Sequence, residues 1–254
     1  METITFIGNG NMALSIAKGL KQNYTLEVVG RDMKKLETFE ALLQIPVKKY
    51  LMQDFDMTGK TVILCVKPNN IESVSPQLQG KAALLLSVLA GTTLEKLNHC
   101  FDAVATVRTM PNLAAGVGKS MTTLTGDATV KTQAIALMSS VGSTLWLESE
   151  KELDIATGLA GSGPAYLALI AEALADGAVQ QGLKREYAME VTKGLFEGFG
   201  VLIQEMHPAL LKDGVMSPGG TTAAGYNALE EGNVRAACMK AVTKAYEKAK
   251  ALQH

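Results

Sequence analysis

Cysteine and histidine are scarce in this 254-residue chain, three of each, and they stand far apart: Cys65, Cys100 and Cys238; His99, His207 and His254. No CxxC, HExxH or comparable ligand spacing is present, so no metal site is expected. An odd, scattered set of thiols excludes a disulfide framework and points to reduced cysteines in the core or on helix faces. Charge of one sign is lacking too. Lys+Arg 24 against Asp+Glu 25 leaves a net charge of −1, which supplies no pull toward nucleic acid or an anionic membrane. Long apolar runs are missing. The longest candidate, Ala82 to Ala90, is strand-sized, well short of the ~18 residues a membrane span needs. The opening METITFIGNG has no basic stretch ahead of its apolar residues, so a secretory signal is not expected and a cytoplasmic location is. Apolar residues nonetheless make up 47% and charged residues 19%, enough for a sizeable core in one large domain or two modest ones.

The first half alternates short apolar runs with helical patterns. Strands are expected at 3–7, 26–29, 61–66, 83–88, 103–107 and 121–124, and helices at 12–21 and 33–43. Continuous apolar runs such as Thr61–Val66 suit strands buried on both faces of a parallel sheet. Near Trp146–Glu152 the character changes. Downstream, 164–181, 185–206, 222–228 and 234–252 all read as helices. The expectation is an α/β protein: a doubly wound Rossmann domain over 1–150, then an all-helical domain over 151–254. The first of the later helices is apolar nearly all round (Leu167, Ile170, Leu174, Ala178), so either another subunit or the chain's own helices must cover it.

The chain opens strand, Gly8-Asn9-Gly10-Asn11-Met12-Ala13, helix. This GxGxxA pattern serves a dinucleotide. Gly8 allows the tight turn, Gly10 lets backbone approach a pyrophosphate at the helix N-terminus, and Ala13 lets helix and strand pack closely. At the end of the second strand, where an NAD enzyme usually carries an acid, stands Gly30-Arg31-Asp32, followed by Lys34 and Lys35. Arg31 suits a 2′-phosphate and favours NADPH, with NADH possible. Asp32 either caps the next helix or pulls toward a ribose hydroxyl. Two later strand ends, Val66-Lys67-Pro68 and the segment through Ala90-Gly91, point at the same crevice, where small or proline-bent residues allow contact with ribose and nicotinamide.

A second signal lies in Ser217-Pro218-Gly219-Gly220-Thr221-Thr222 at a helix start. Free N–H groups there, with the threonine hydroxyls, form either a site for a small carboxylate or a capped turn. Asn112, after Met110-Pro111, is a candidate hydrogen-bonding partner for nicotinamide or substrate.

Taken together, these segments resemble the pyrroline-5-carboxylate reductase family over nearly the whole length. The resemblance rests on Gly8–Ala13, Val66-Lys67-Pro68, Ala90-Gly91, Arg108 with Met110-Pro111-Asn112, Gly161-Ser162-Gly163-Pro164-Ala165-Tyr166, and Leu211-Lys212-Asp213 leading into Ser217–Thr222. It implies reduction of L-1-pyrroline-5-carboxylate to L-proline by NAD(P)H, and a helical domain that interlocks with a partner, with dimers often gathered into rings of ten. It further implies that Ser217, Gly219, Gly220, Thr221 and Thr222 hold the substrate carboxylate. Thr222 would stand beside the ring nitrogen as the catalytic residue, with Glu205 near the same pocket. Gly8, Asn9, Gly10, Asn11, Met12, Arg31, Val66, Lys67, Pro68, Ala90, Gly91 and Asn112 would contact the cofactor. Gly30 replaces a small polar residue of the family pattern, and Ala160 replaces its first serine. A β-hydroxyacid dehydrogenase would place a lysine after a comparable glycine-rich segment, and Tyr166–Ile170 has none. A non-catalytic NADP-binding scaffold would need the Gly8–Ala13 loop and not Ser217–Thr222.

Overall fold

The computed structural model describes residues 1–252. The apolar run of β1 (Thr3–Ile7) ends at the glycine turn and passes into α1 (Asn11–Leu20), which buries Ala13, Ile16, Ala17 and Leu20 on the sheet. Then come β2 (Thr25–Gly30), α2 (Met33–Leu43), β3 (Lys48–Leu51), β4 (Thr61–Leu64), the single turn α3 (Ile71–Val74), β5 (Leu84–Ser87), α4 (Leu94–Cys100) and β6 (Thr106–Met110). After them follow β7 (Ser120–Gly126), α5 (Lys131–Ser139), β8 (Gly142–Trp146) and α6 (Glu150–Ala156). The eight strands form one sheet in the order β3-β2-β1-β4-β5-β6-β7-β8. All neighbouring pairs are parallel except β6 with β7. One face packs Phe6, Val28, Ile63, Leu86 and Val107 under α1, α2 and α5; the other packs Val29, Val62, Leu64 and Leu85. The order reverses between β1 and β4, so a crevice opens beyond their carboxyl ends.

The sheet agrees with the Rossmann expectation, with differences at its margins. The two strands not anticipated, β3 and β8, are its two edges. Edge strands are half solvated and lack the continuous apolar run that betrays the central ones. Their burial is partial throughout: no residue of either is fully buried. The strand expected at 103–107 begins three residues later, at Thr106. Ala103 forms only an isolated bridge to Ala82, and the antiparallel pairing with β7 carries the strand on to Met110. The short helices α3, α4, α5 and α6 likewise lie outside the sequence expectation.

Downstream lie a π-helical turn (Thr157–Gly161), α7 (Gly163–Gln180), α8 (Arg185–Glu205), α9 (Pro208–Val215), α10 (Thr221–Glu231) and α11 (Val234–Ala251). The fold divides into two compact units, Met1–Ser162 with the segment from Thr243 onward, and Gly163–Val242. The division expected after residue 150 therefore falls inside the first unit. The reason is ionic: buried Arg108 on β6 reaches Glu150 and Asp154 on α6, at 2.8 and 2.7 Å.

The second unit is peculiar in its burial. Ala175, Ala188 and Thr192 are its buried residues, while Leu169 is 67% and Val191 65% exposed. Eighty residues of helix with so little interior cannot hold themselves folded by hydrophobic burial. The apolar α7 foreseen in the sequence is thus left uncovered by the chain's own helices. The helical stretch Glu150–Gln180 is also long and apolar enough, by length and composition, to cross a membrane. Counting unbroken apolar residues overlooks it because acidic residues, glycine and serine interrupt the run.

Glu27 on β2 is 3% exposed and takes bonds from the Thr5 hydroxyl and the Lys60 ammonium, both at 2.9 Å. Burial pushes its carboxyl up, but the bonds from Lys60 and Thr5 outweigh this and hold it below the usual glutamate range. A carboxyl lowered on folding contributes stability above its unfolded value of about 4.3, and that contribution is lost as pH falls through the folded value. Glu27→Gln should therefore lower stability at pH 7 and narrow the gap to wild type in acid. Urea unfolding of both proteins at pH 7 and near pH 3 measures this.

Candidate active site

The turn after β1 is shaped by contact with β4. Gly8 has φ +107° and donates its N–H to Val29 O at 2.9 Å. A Cβ there would meet the Cys65 carbonyl oxygen at 2.8 Å. Only glycine lets this turn lie so close to the neighbouring strand end. Gly10 is the N-cap of α1, in extended conformation and with no side-chain cap, and a Cβ on it would meet nothing within 4 Å. The first N–H groups of α1 therefore face open space, as an incoming pyrophosphate requires. The Cys65 thiol behind the turn is pushed up by burial and stays protonated, so it serves packing and not chemistry.

A cleft of about 340 Å³ lies over this turn, lined by Gly8, Asn9, Gly10, Arg31, Val66 and Lys67 among others. Lys35 and Asn70 also line it. Lys35 was visible in the sequence as a charge four residues after Arg31; Asn70 had no signal. Among the described residues, none of Arg31, Lys35 and Lys67 is in an ion pair with a carboxylate. Three cations around one cleft favour a polyanionic ligand. Asp32, the residue that would have opposed this, is committed elsewhere: its carboxylate caps α2, accepting from Lys34 N at 3.0 Å and Lys35 N at 3.4 Å. Gly30 has a local reason as well. A Cβ on it would press on Leu36 Cδ2 at 2.8 Å, and Leu36 is fully buried. The residues present fit NADP(H).

The remaining expected cofactor residues do not line that cleft. Asn11 and Met12 open α1, and Pro68 starts the turn after Lys67. Ala90 and Gly91 lie in the β5–α4 turn. Gly91 has φ +68°, and a Cβ there would strike Leu252 Cβ at 2.5 Å and Ala249 O at 2.9 Å. Its glycine is thus demanded by the turn and by the last turn of α11 packed on it. Asn112 is buried and largely consumed by the chain. Its side-chain oxygen accepts from Ala114 N at 3.0 Å, and its amide donates to Ala160 O in the π-helical turn at 3.0 Å. This ties Met110-Pro111-Asn112 to the π-helical turn Thr157–Gly161, two stretches far apart in sequence.

In the second unit α10 starts at Gly220, whose side-chain-free cap leaves the first-turn N–H groups unsatisfied. Gly219 has φ +69°, and Gly220 N donates to Ser217 O at 3.0 Å, folding the loop back on itself. Ser217, Thr221 and Thr222 are exposed. Lys212 on α9 pairs with Asp213 and lies 5.3 Å from the centre of the Tyr226 ring on α10. Arg235 on α11 donates to the Tyr226 hydroxyl at 2.7 Å and pairs with Glu230. The Lys212–Tyr226 contact links α9 and α10, the helices on either side of the Ser217–Gly220 loop. Glu205 closes α8 and is exposed. The arrangement is a helix start whose backbone donors and hydroxyls can receive a small anion.

A protein of Arabidopsis thaliana named pyrroline-5-carboxylate reductase is 36% identical over 266 aligned residues, covering 98% of this chain and 95% of its own. The chain belongs to the pyrroline-5-carboxylate reductase family. A family model described as pyrroline-5-carboxylate reductase dimerisation matches residues 150–252, and one described as NADP oxidoreductase, coenzyme F420-dependent, matches 3–91. The 1-pyrroline-5-carboxylate reductase of Streptococcus pyogenes superposes with TM-score 0.85 at 34% identity, covering 98% of each chain. The Plasmodium falciparum pyrroline carboxylate reductase, solved with NADP bound, gives 0.81 at 28% identity over 99% of this chain and all of its own. The uncovered helices of residues 163–242 fall in the segment this family uses to dimerise, which accounts for their exposed apolar faces.

The two glycines of the first turn should separate on substitution. Gly8→Ala should destabilise the fold by about 1–3 kcal/mol, through left-handed strain and the clash with Cys65. Gly10→Ala should cost about 1 kcal/mol or less and instead weaken NADPH binding by about tenfold or more. Thermal melts with fluorescence titration of NADPH distinguish the two effects.

Proposed function

We propose that this reductase-family chain reduces L-1-pyrroline-5-carboxylate to L-proline, the closing step of proline biosynthesis, with NADPH as preferred donor and NADH as a poorer one. The observation that carries the reading is that one chain holds both an Arg31/Lys35/Lys67 dinucleotide cleft and a donor-rich helix start, along full-length similarity to reductases of that name. NADPH, when bound, supplies the hydride. The chain's task is to position and to exclude water, because a protonated cyclic imine is already electrophilic. Hydride addition to the ring carbon converts the iminium to the secondary amine with no further proton needed.

In this reading Ser217, Gly219, Gly220 and Thr221 hold the substrate carboxylate. Thr222 stands beside the ring nitrogen and stabilises it as it becomes an amine, with Glu205 nearby. Gly8, Asn9, Gly10, Asn11 and Met12 receive the pyrophosphate, Arg31 the 2′-phosphate, and Val66, Lys67, Pro68, Ala90 and Gly91 the nicotinamide half. Asn112 shapes the floor of the site through its bonds to Ala114 and Ala160 and retains lone-pair capacity for a ligand. The active form is a homodimer, and five dimers assemble into a ring, as the family resemblance suggests. The apolar face of α7 is turned to a partner and not to lipid; Glu172 and Asp176 along the same helix suit a protein interface better than a bilayer. A cytoplasmic location is supported by Cys65, Cys100 and Cys238 being free thiols.

Oxidation of NADPH should depend on added pyrroline-5-carboxylate, and absence of that dependence in a folded dimer overturns the assignment. Thr222→Ala should lose about 1–3 kcal/mol of transition-state stabilisation, read from kcat/KM. Arg31→Ala should erase most of the preference for NADPH over NADH; an unchanged ratio removes Arg31 from phosphate recognition.

A further inference from the structure

Arg108 is an expensive residue to bury. It sits on β6, its side chain is 1% exposed, and its Nε has no hydrogen-bond partner. Its two outer nitrogens donate to Glu150 Oε1 at 2.8 Å and to Asp154 Oδ1 at 2.7 Å. A desolvated guanidinium of this kind is tolerated because two carboxylates neutralise and orient it. The Glu150 oxygen that takes Arg108 also accepts the backbone N–H of Leu94 at 2.8 Å. Leu94 is the first residue of α4 and closes the β5–α4 turn that contains Ala90 and Gly91. The other end of the turn is held from the same neighbourhood. Ser87, the register partner of Arg108 across β5 and β6, accepts Leu89 N at 3.3 Å on its hydroxyl. The last turn of α11 closes on Gly91 from a third direction. The turn is therefore braced at both ends and at its middle, and the brace at Leu94 is anchored 56 residues away in sequence.

We propose that Glu150, oriented by Arg108, is a positioning residue for the Leu89–Leu94 turn and hence for the nicotinamide half of the cofactor. This rests on the functional reading above, which places Ala90 and Gly91 against that half. Neither carboxylate is needed there to make the fold's apolar core, and Glu150 keeps about a third of its side chain in solvent. What Glu150 supplies is reach: one oxygen that meets a guanidinium and a turn N–H together.

Two conservative variants separate reach from charge. Glu150→Asp keeps the negative charge near Arg108 but, one methylene shorter, draws the shared oxygen back from both Arg108 and Leu94 N. Glu150→Gln keeps the length and an acceptor oxygen while losing the charge. For Glu150→Asp the NADPH Kd, by fluorescence titration, and the KM for NADPH should rise about tenfold. The KM for pyrroline-5-carboxylate should stay within about twofold, and Glu150→Gln should stay within about threefold of wild type on every measure. An NADPH Kd for folded Glu150→Asp within twofold of wild type overturns the proposal. So does an equal rise in Glu150→Gln, which would assign the effect to charge. A parallel rise in both KM values would mark general loosening and also overturn it. Wild type measured alongside keeps the readings apart: if it neither binds NADPH nor oxidises it with pyrroline-5-carboxylate, the functional assignment has failed and not this inference alone.

Discussion

The approach of the β1–α1 turn to the end of β4 is the constraint from which the cleft over that turn follows. Gly8 lies so close to the Cys65 carbonyl that no side chain fits between them. That contact brings the start of α1, with its uncapped N–H groups, to the point where the sheet order reverses. Strand register then places the residues that follow the strands: Arg31 after β2 on one side, and Val66 and Lys67 after β4 on the other. A parallel sheet delivers these residues to one edge because all of its central strands end on the same side.

A second constraint works from the far side of the sheet. Arg108 places a positive charge where water does not reach, and the chain answers with two acids from one helix. The consequence is that α6 belongs structurally to the dinucleotide-binding unit, although similarity assigns it to the dimerisation segment. Burial of an unpaired charge costs several kcal/mol, so α6 cannot leave without breaking β6. The π-helical turn that follows is joined to the same region through Asn112.

The unit 163–242 follows a different physical logic. It has donors and hydroxyls at a helix start, but three buried residues are not a core. Such a unit fits a dimerisation segment, in which a second copy supplies the hydrophobic cover the single chain lacks. Family membership and the exposed apolar faces agree on this point. The Ser217–Gly220 loop is thus carried by helices that the chain's own residues leave largely exposed.

Much of the architecture was legible along the chain because it is written in local periodicity and turn chemistry. The continuous apolar strands β1, β4 and β5, the glycine turn, the helices α2, α8 and α11, and the positive charge at Arg31 all follow from residues within a few positions of one another. The edge strands were hidden because half-solvated strands carry no apolar run. The fate of Asp32 was open until its cap to α2 was seen, since the same residue type serves a helix end or a ribose. Asn112 carries no local sign of its bond to Ala160 O, 48 residues away, which links two distant segments. Glu150 carries no sequence signal beyond lying in the stretch 146–152, where the strand pattern gives way to helix. Its role is set by Leu94 and Arg108, 56 and 42 residues away. Periodicity reports what a residue does to its own helix or strand. Which distant group it meets is decided only when the sheet order and the packing of α6 bring them together.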